Sequence, residues 1–101
     1  MVEEIVVCVA TFTAAVGKFD ELKKELSDLI KPTRSEEGCI RYELNEDVTE
    51  GMLVFIEKWK GQKVFTEHCE KPYIKNFFLD VAPKLVAKQD VRLYTEIGGE
   101  I

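Results

Sequence analysis

Two stretches of this chain are apolar in both phases of a β-strand, and few folds accommodate that. Residues 4–13, EIVVCVATFT, form a nearly continuous run rich in β-branched side chains, the pattern of a buried strand. Residues 52–60, MLVFIEKWK, repeat it, with Met52, Val54 and Ile56 on one side and Leu53, Phe55 and Trp59 on the other. Successive side chains of a strand point to opposite faces of a sheet. Any sheet built on these two strands is therefore apolar on both faces, and both faces need cover.

The segments around them have other periods. After Gly17, Phe19, Leu22, Leu26, Leu29 and Ile30 recur every three or four residues among charged ones, which makes one apolar stripe on a helix. Asp20 and Glu21 sit in its first turn, where the helix dipole favours negative charge. Pro32 and Gly38 bracket the exit. CIRYELNE (39–46) alternates Ile40, Tyr42 and Leu44 with Arg41, Glu43 and Asn45, a half-buried strand. The polar link DVTEG turns it into a hairpin with 52–60. Val64, Phe65, His68 and Cys69 then share one side of a short helix. Pro72 suits the first turn of another, whose apolar face is Tyr73, Ile74, Phe77, Phe78 and Val81 and which Pro83 ends. DVRLYTEI (90–97) alternates Val91, Leu93 and Ile97 with Arg92, Tyr94 and Glu96, and GGEI reads as a loose tail.

The order β-α-β-β-α-β predicts an α+β fold of the ferredoxin-like type, with an antiparallel sheet whose first and third strands lie in the centre. Residues 1–101 read as a single domain, too short for a second core. In this arrangement both helical segments pack on one face. The other face keeps at least three large apolar side chains from each central strand, each stabilising by roughly 1.5–3 kcal/mol when buried. A homodimer paired through that sheet face is the expected remedy.

A formal charge of −5 argues against nucleic acid or an anionic membrane as partner. No stretch approaches the roughly 18 apolar residues of a membrane helix. The start, MVEEIVV, is acidic and runs into a strand, so it does not read as a signal peptide. Three widely spaced cysteines, Cys8, Cys39 and Cys69, leave one unpaired under any disulfide scheme, which points to a reducing cytoplasm. With one histidine and no glycine-rich phosphate loop, neither a metal nor a nucleotide or flavin cofactor is signalled.

Residues 55–78 hold the only Trp, the only His and five of the nine Phe and Tyr residues. An aromatic wall with a few polar groups suits an apolar, aromatic ligand, and it also suits a plain core. His68 is the natural proton-transfer group. Glu57 is the second: its phase-mates Leu53, Phe55 and Trp59 are apolar, so its carboxylate must find a partner, His68 or Arg41, or shift its pKa. Tyr42 and Tyr94 are placed to line either a cavity or the interface. Cys39 and Cys69 read as small buried hydrophobes, since no basic group stands beside either.

The runs GCIRYEL (38–44), FIEKW (55–59) and FTEHCEKPYIKNF (65–77), in order and spacing, resemble the antibiotic biosynthesis monooxygenase family over essentially the whole chain. The resemblance implies a dimeric α/β barrel with a pocket between sheet and helices in each subunit. It also implies cofactor-independent oxygenation of a quinol, anthrone or related phenol by dioxygen. His68 and Glu57 map onto recurrent family positions as catalytic groups, with Tyr42, Phe55, Trp59, Phe65, Tyr73 and Phe77 shaping the substrate pocket. The haem-degrading branch is disfavoured, because Lys75–Phe78 offers Asn and Phe but no His. Two alternatives stay open: an isomerase of a phosphorylated quorum-sensing dione, and a non-catalytic dimeric module binding a small hydrophobic ligand.

Overall fold

Four antiparallel strands carry a layer of short helices on one face in the computed structural model, which describes residues 4–99. The elements are β1 (Val6–Ala14), α1 (Phe19–Ser27), α2 (Ile30–Arg34), β2 (Cys39–Glu46) and β3 (Leu53–Trp59). They continue with α3 (Gln62–Cys69), α4 (Pro72–Asn76), a π-helical turn (Phe77–Val81), α5 (Ala82–Leu85) and β4 (Val86–Thr95). The first three residues of the acidic start and the last two of the expected loose tail lie outside the described residues.

The strand order is β2-β3-β1-β4, the ferredoxin-like arrangement, with the two doubly apolar strands in the centre. Register decides which phase goes where. Cys8 pairs with Glu57 and Ala10 with Phe55 across β1 and β3, and Tyr42 pairs with Glu57 across β2 and β3. That set, with Phe12, Leu53 and Trp59, is buried beneath Leu22, Leu26, Leu29, Ile74, Phe77 and Leu85 of the helical layer. The opposite phase, Val7, Val9, Val54 and Ile56, stays half-buried on the open face. There Lys58 forms an ion pair with Glu96, and both side chains are largely shielded from water.

The prolines do not stop their helices. Pro32 lies inside α2, in the first turn, where no N–H is needed. Pro83 lies at the start of α5 and follows the π-helical turn directly. Widening that turn relieves the clash a proline ring makes with the preceding helical carbonyl, so the helical path continues. In β2 the register shifts between Cys39 and Arg41, so Ile40 falls into a bulge and leaves the expected alternation. β4 begins at Val86 and ends at Thr95, earlier at both ends than 90–97. It is also more exposed than its alternation suggests: Val91 and Leu93 are 47% and 46% accessible.

Gly38 closes the turn into β2 with φ +93°, and a Cβ there would stand 2.7 Å from the Val64 side chain. Gly51, in the hairpin turn, has φ +68° and open space around it. Gly38→Ala is therefore expected to cost about 2 kcal/mol or more, through backbone strain plus overlap. Gly51→Ala should cost about 1 kcal/mol, through backbone conformation alone. Urea midpoints of the two variants check the ranking.

Candidate active site

A short link, Lys60 and Gly61, takes the chain from β3 straight into α3 and lays that helix back over the strand it has just left. Phe65 and His68, three residues apart on α3, both turn toward the sheet and are buried. The His68 imidazole lies against the Trp59 indole, centroids 4.4 Å apart at 36°. The Tyr42 ring meets it edge-on at 5.6 Å.

On its outer side the imidazole meets a carboxylate 32 residues away in sequence. Nδ1 of His68 lies 3.0 Å from Oε2 and 3.2 Å from Oε1 of Glu36. The Tyr73 hydroxyl donates to the same Oε2. A carboxylate only accepts, so Nδ1 carries hydrogen and donates, and Nε2 is left as an acceptor. Glu36 stands in the turn between α2 and β2, held by Glu36 N–H to Thr33 O at 3.0 Å and Cys39 N–H to Glu36 O at 3.2 Å. Burial pushes the His68 pKa down, and the Glu36 hydrogen bond and charge oppose that shift. Near neutral pH the ring is a neutral base.

His68 also borders a cavity of about 90 Å³ between the sheet and the helical layer. Cys8, Ala10, Phe55 and Glu57 line it from the central strands, and Tyr42 from β2. Phe65, Ile74 and Phe77 line it from the helices. Phe78 and Val91 on the β4 side and Cys69 on α3 are the exposed residues on its wall. The π-helical turn shapes the β4 side. Its wider winding brings two consecutive residues, Phe77 and Phe78, against Phe12, with centroids 5.6 Å and 6.2 Å away. Such turns recur at functional sites.

Glu57 is the cavity's carboxyl group. It is 4% exposed and accepts a hydrogen bond from Trp59 Nε1 at 3.0 Å. Burial raises its pKa to about 7, against the lowering effect of hydrogen bonds from Trp59 and Cys8. The thiols are poor nucleophiles: burial pushes Cys8 far up and Cys39 up to about 11, and Cys69 rises for the same first reason. Cys8 is fully buried, Cys39 half-buried, and Cys69 exposed although it borders the cavity, which departs from the reading of Cys39 and Cys69 as buried hydrophobes.

Of the residues singled out from sequence, His68, Glu57, Tyr42, Phe55, Phe65 and Phe77 meet at this cavity. Trp59 and Tyr73 do not form its wall: Trp59 lies beneath His68, and Tyr73 holds the far side of Glu36. Tyr94 stands on the open face of the sheet, opposite Val7. Glu57 takes neither expected partner. Trp59 and Cys8 serve it, His68 is served by Glu36, and Arg41 lies on the other face beside Glu43 at 3.7 Å. Glu36 was missed, since nothing in the sequence links a turn carboxylate to a histidine on a later helix.

The sequence profile of the antibiotic biosynthesis monooxygenase family matches residues 5–78. The chain belongs to that family. Membership supports a monooxygenase-like function, and two of the curated relatives, from Mycobacterium tuberculosis and Bacillus subtilis, are named putative monooxygenases. "Putative monooxygenase Rv0793" of Mycobacterium tuberculosis is 31% identical over 79% of each chain. The Synechocystis protein sll1783 is 37% identical over 64% of this chain, and the match spans only 45% of that protein's length. Among solved structures, protein SO0527 from Shewanella oneidensis superposes with a TM-score of 0.91 at 41% identity, covering 93% of this chain and 92% of that one. Among the described residues, no group of three or more His, Cys, Asp or Glu is placed to hold a metal ion, and no helix is long and apolar enough to cross a membrane.

The raised Glu57 pKa has a stability consequence of definite sign. A carboxyl group that binds its proton more tightly when folded favours the fold below its ordinary value of 4.5, and that contribution is lost as pH rises through about 7. Glu57→Gln keeps an acceptor for Trp59 but cannot ionise. Relative to wild type it should gain on the order of 3 kcal/mol between pH 5 and pH 8, read from urea denaturation at the two pH values.

Proposed function

We propose that the protein is a cofactor-independent monooxygenase that oxidises a quinol, anthrone or related phenol with dioxygen, working as a cytoplasmic homodimer. The observation that carries this reading is the placement of two proton-exchanging groups on one apolar cavity. The His68 ring has its Nδ1 committed to Glu36, and Glu57 is a carboxyl group with a pKa of about 7.

The chemistry fits that pairing. Loss of a proton from the substrate leaves a delocalised anion rich enough in electrons to reduce dioxygen. A carbon–oxygen bond forms, the O–O bond breaks, and the second oxygen leaves as water; a CH₂ becomes a carbonyl, or a ring C–H and a phenolic O–H give up their hydrogens and leave the two carbonyls of a quinone. Two protons leave the substrate and both end in that water, so the site needs somewhere to hold them. Nε2 of His68 takes the first as general base. Glu57, whose pKa allows either state, takes the second or supplies one to the departing oxygen. Apolar walls keep bulk water from the reactive anion.

The cavity of about 90 Å³ is smaller than the roughly 300–1,000 Å³ of typical ligand sites. Entry of a ring system therefore requires the wall to open, and Phe78, an exposed aromatic side chain on it, is the residue whose removal tests this. The isomerase reading finds less support: no Lys or Arg lines the cavity, so a substrate phosphate would meet Glu57 and no cation. A non-catalytic module remains the outcome in which ligands bind and nothing turns over.

Dimerisation through the open sheet face is supported by the half-buried patch of Val7, Val9, Val54 and Ile56 at its centre, and by the pairing of charges around it, Lys58 with Glu96, Arg41 with Glu43 and Arg92 with Asp90. Light scattering should give twice the subunit mass of 11.6 kDa, and a single-subunit mass at micromolar concentration removes the dimer.

Activity is tested by oxygen uptake with a panel of quinols and anthrones, using metal-stripped protein. His68→Ala should lower the rate about 10²- to 10⁴-fold. Phe78→Ala should lower KM for the bulkier substrates. Uptake equal to buffer for every substrate removes the quinol reading.

A further inference from the structure

Glu36 stands against the candidate base with its side chain shielded from water, and the proposed chemistry gives it no role. Its side chain is 6% exposed and that of His68 is 5% exposed, so the pair is shielded from water almost completely. A carboxylate in such a place costs free energy unless donors surround it. Here two donors do: Nδ1 of His68 spans both oxygens, and Tyr73 holds Oε2. The Tyr73 contact adds nothing to the histidine directly. It fixes the rotamer of Glu36, and Glu36 in turn fixes the plane of the imidazole.

We infer that Glu36 is the positioning residue of the site: it keeps the hydrogen of His68 on Nδ1, turns Nε2 to the cavity as acceptor, and compensates the imidazolium formed when a substrate proton arrives. The inference rests on the reading of His68 as general base. The proton balance is simple: Nε2 gains the substrate proton, Nδ1 keeps its own, and the positive charge lies between the Glu36 carboxylate and the Trp59 ring face. The other packed elements offer no substitute. β2 presents the Tyr42 ring and α3 presents Phe65, and Lys71, just beyond α3, works against protonation. A purely structural contact would hold the ring in the same way but would leave kcat unchanged when the charge of Glu36 is removed, so the kinetic arm of the test separates the two roles.

The test uses the fact that His68 is the only histidine. ¹⁵N spectra of imidazole-labelled full-length protein contain one Nδ1 and one Nε2 signal, with no assignment problem and no substrate needed. In wild type the neutral ring should carry its hydrogen on Nδ1. Glu36→Gln keeps an acceptor oxygen in place but removes the charge, so the titration midpoint of His68 should fall. With substrate, kcat should drop roughly 10²-fold while KM holds, the signature of a group acting only once charge develops. Glu36→Asp, shorter but charged, should restore part of both. Hydrogen found on Nε2 in wild type overturns the inference. So does a Gln variant whose spectrum and titration match wild type, including one that only melts earlier. If no quinol is turned over, the function proposed above fails, while the spectra still decide the role of Glu36.

Discussion

Side chains of a strand alternate between the two faces of its sheet, so the register of β3 against β1 determines what lies inside this molecule. With Cys8 opposite Glu57 and Ala10 opposite Phe55, the helices cover Leu53, Phe55, Glu57 and Trp59. A slip of one residue would send Glu57 and Trp59 to the open face and put Lys58 under the helices. The indole on which His68 rests, the carboxyl group of the cavity and the cavity floor itself all follow from that one choice. The register is held from both flanks, because β2 and β4 pair with the two central strands along nearly their full length.

Within that frame the fold buries two carboxyl side chains and supplies them with different donors. Glu36 receives charge-assisted donors from a histidine and a tyrosine. Glu57 receives an indole N–H and a thiol among hydrocarbon, which is too little to hold a charge comfortably, and its proton affinity rises. The two sites differ in who supplies the donors: helix side chains for Glu36, and the sheet for Glu57.

Much of the fold could be read from the residues because it rests on periodicity. The doubly apolar runs 4–13 and 52–60 marked the central strands, and Glu57 among apolar phase-mates marked a buried carboxyl group. What escaped has local or long-range causes. Pro32 and Pro83 looked like stops, yet each sits where a helical turn has no N–H to lose or has already widened. The alternation of β4 predicted burial that depends on what packs over an edge strand, which no strand records in itself. At the site, His68 was legible as a lone titratable group on an apolar helix face. Its partner was not, because Glu36 reaches it only through tertiary folding, and the turn SEEG resembles any solvated turn. Trp59 and Tyr73 were seen as aromatic but not as supports, since residue type does not tell a wall from a buttress.

The π-helical turn at Phe77–Val81 has a consequence for how such a chain varies. A turn with an i→i+5 ladder accommodates one residue more than the α-helix it replaces. Deleting a single residue between Pro72 and Leu85 would let the helix run straight, and then only one of Phe77 and Phe78 could face Phe12. The rim of the cavity is thus coded by chain length as much as by side-chain identity. A lineage could change what passes it by gaining or losing one codon, with every remaining residue of the site left as it was.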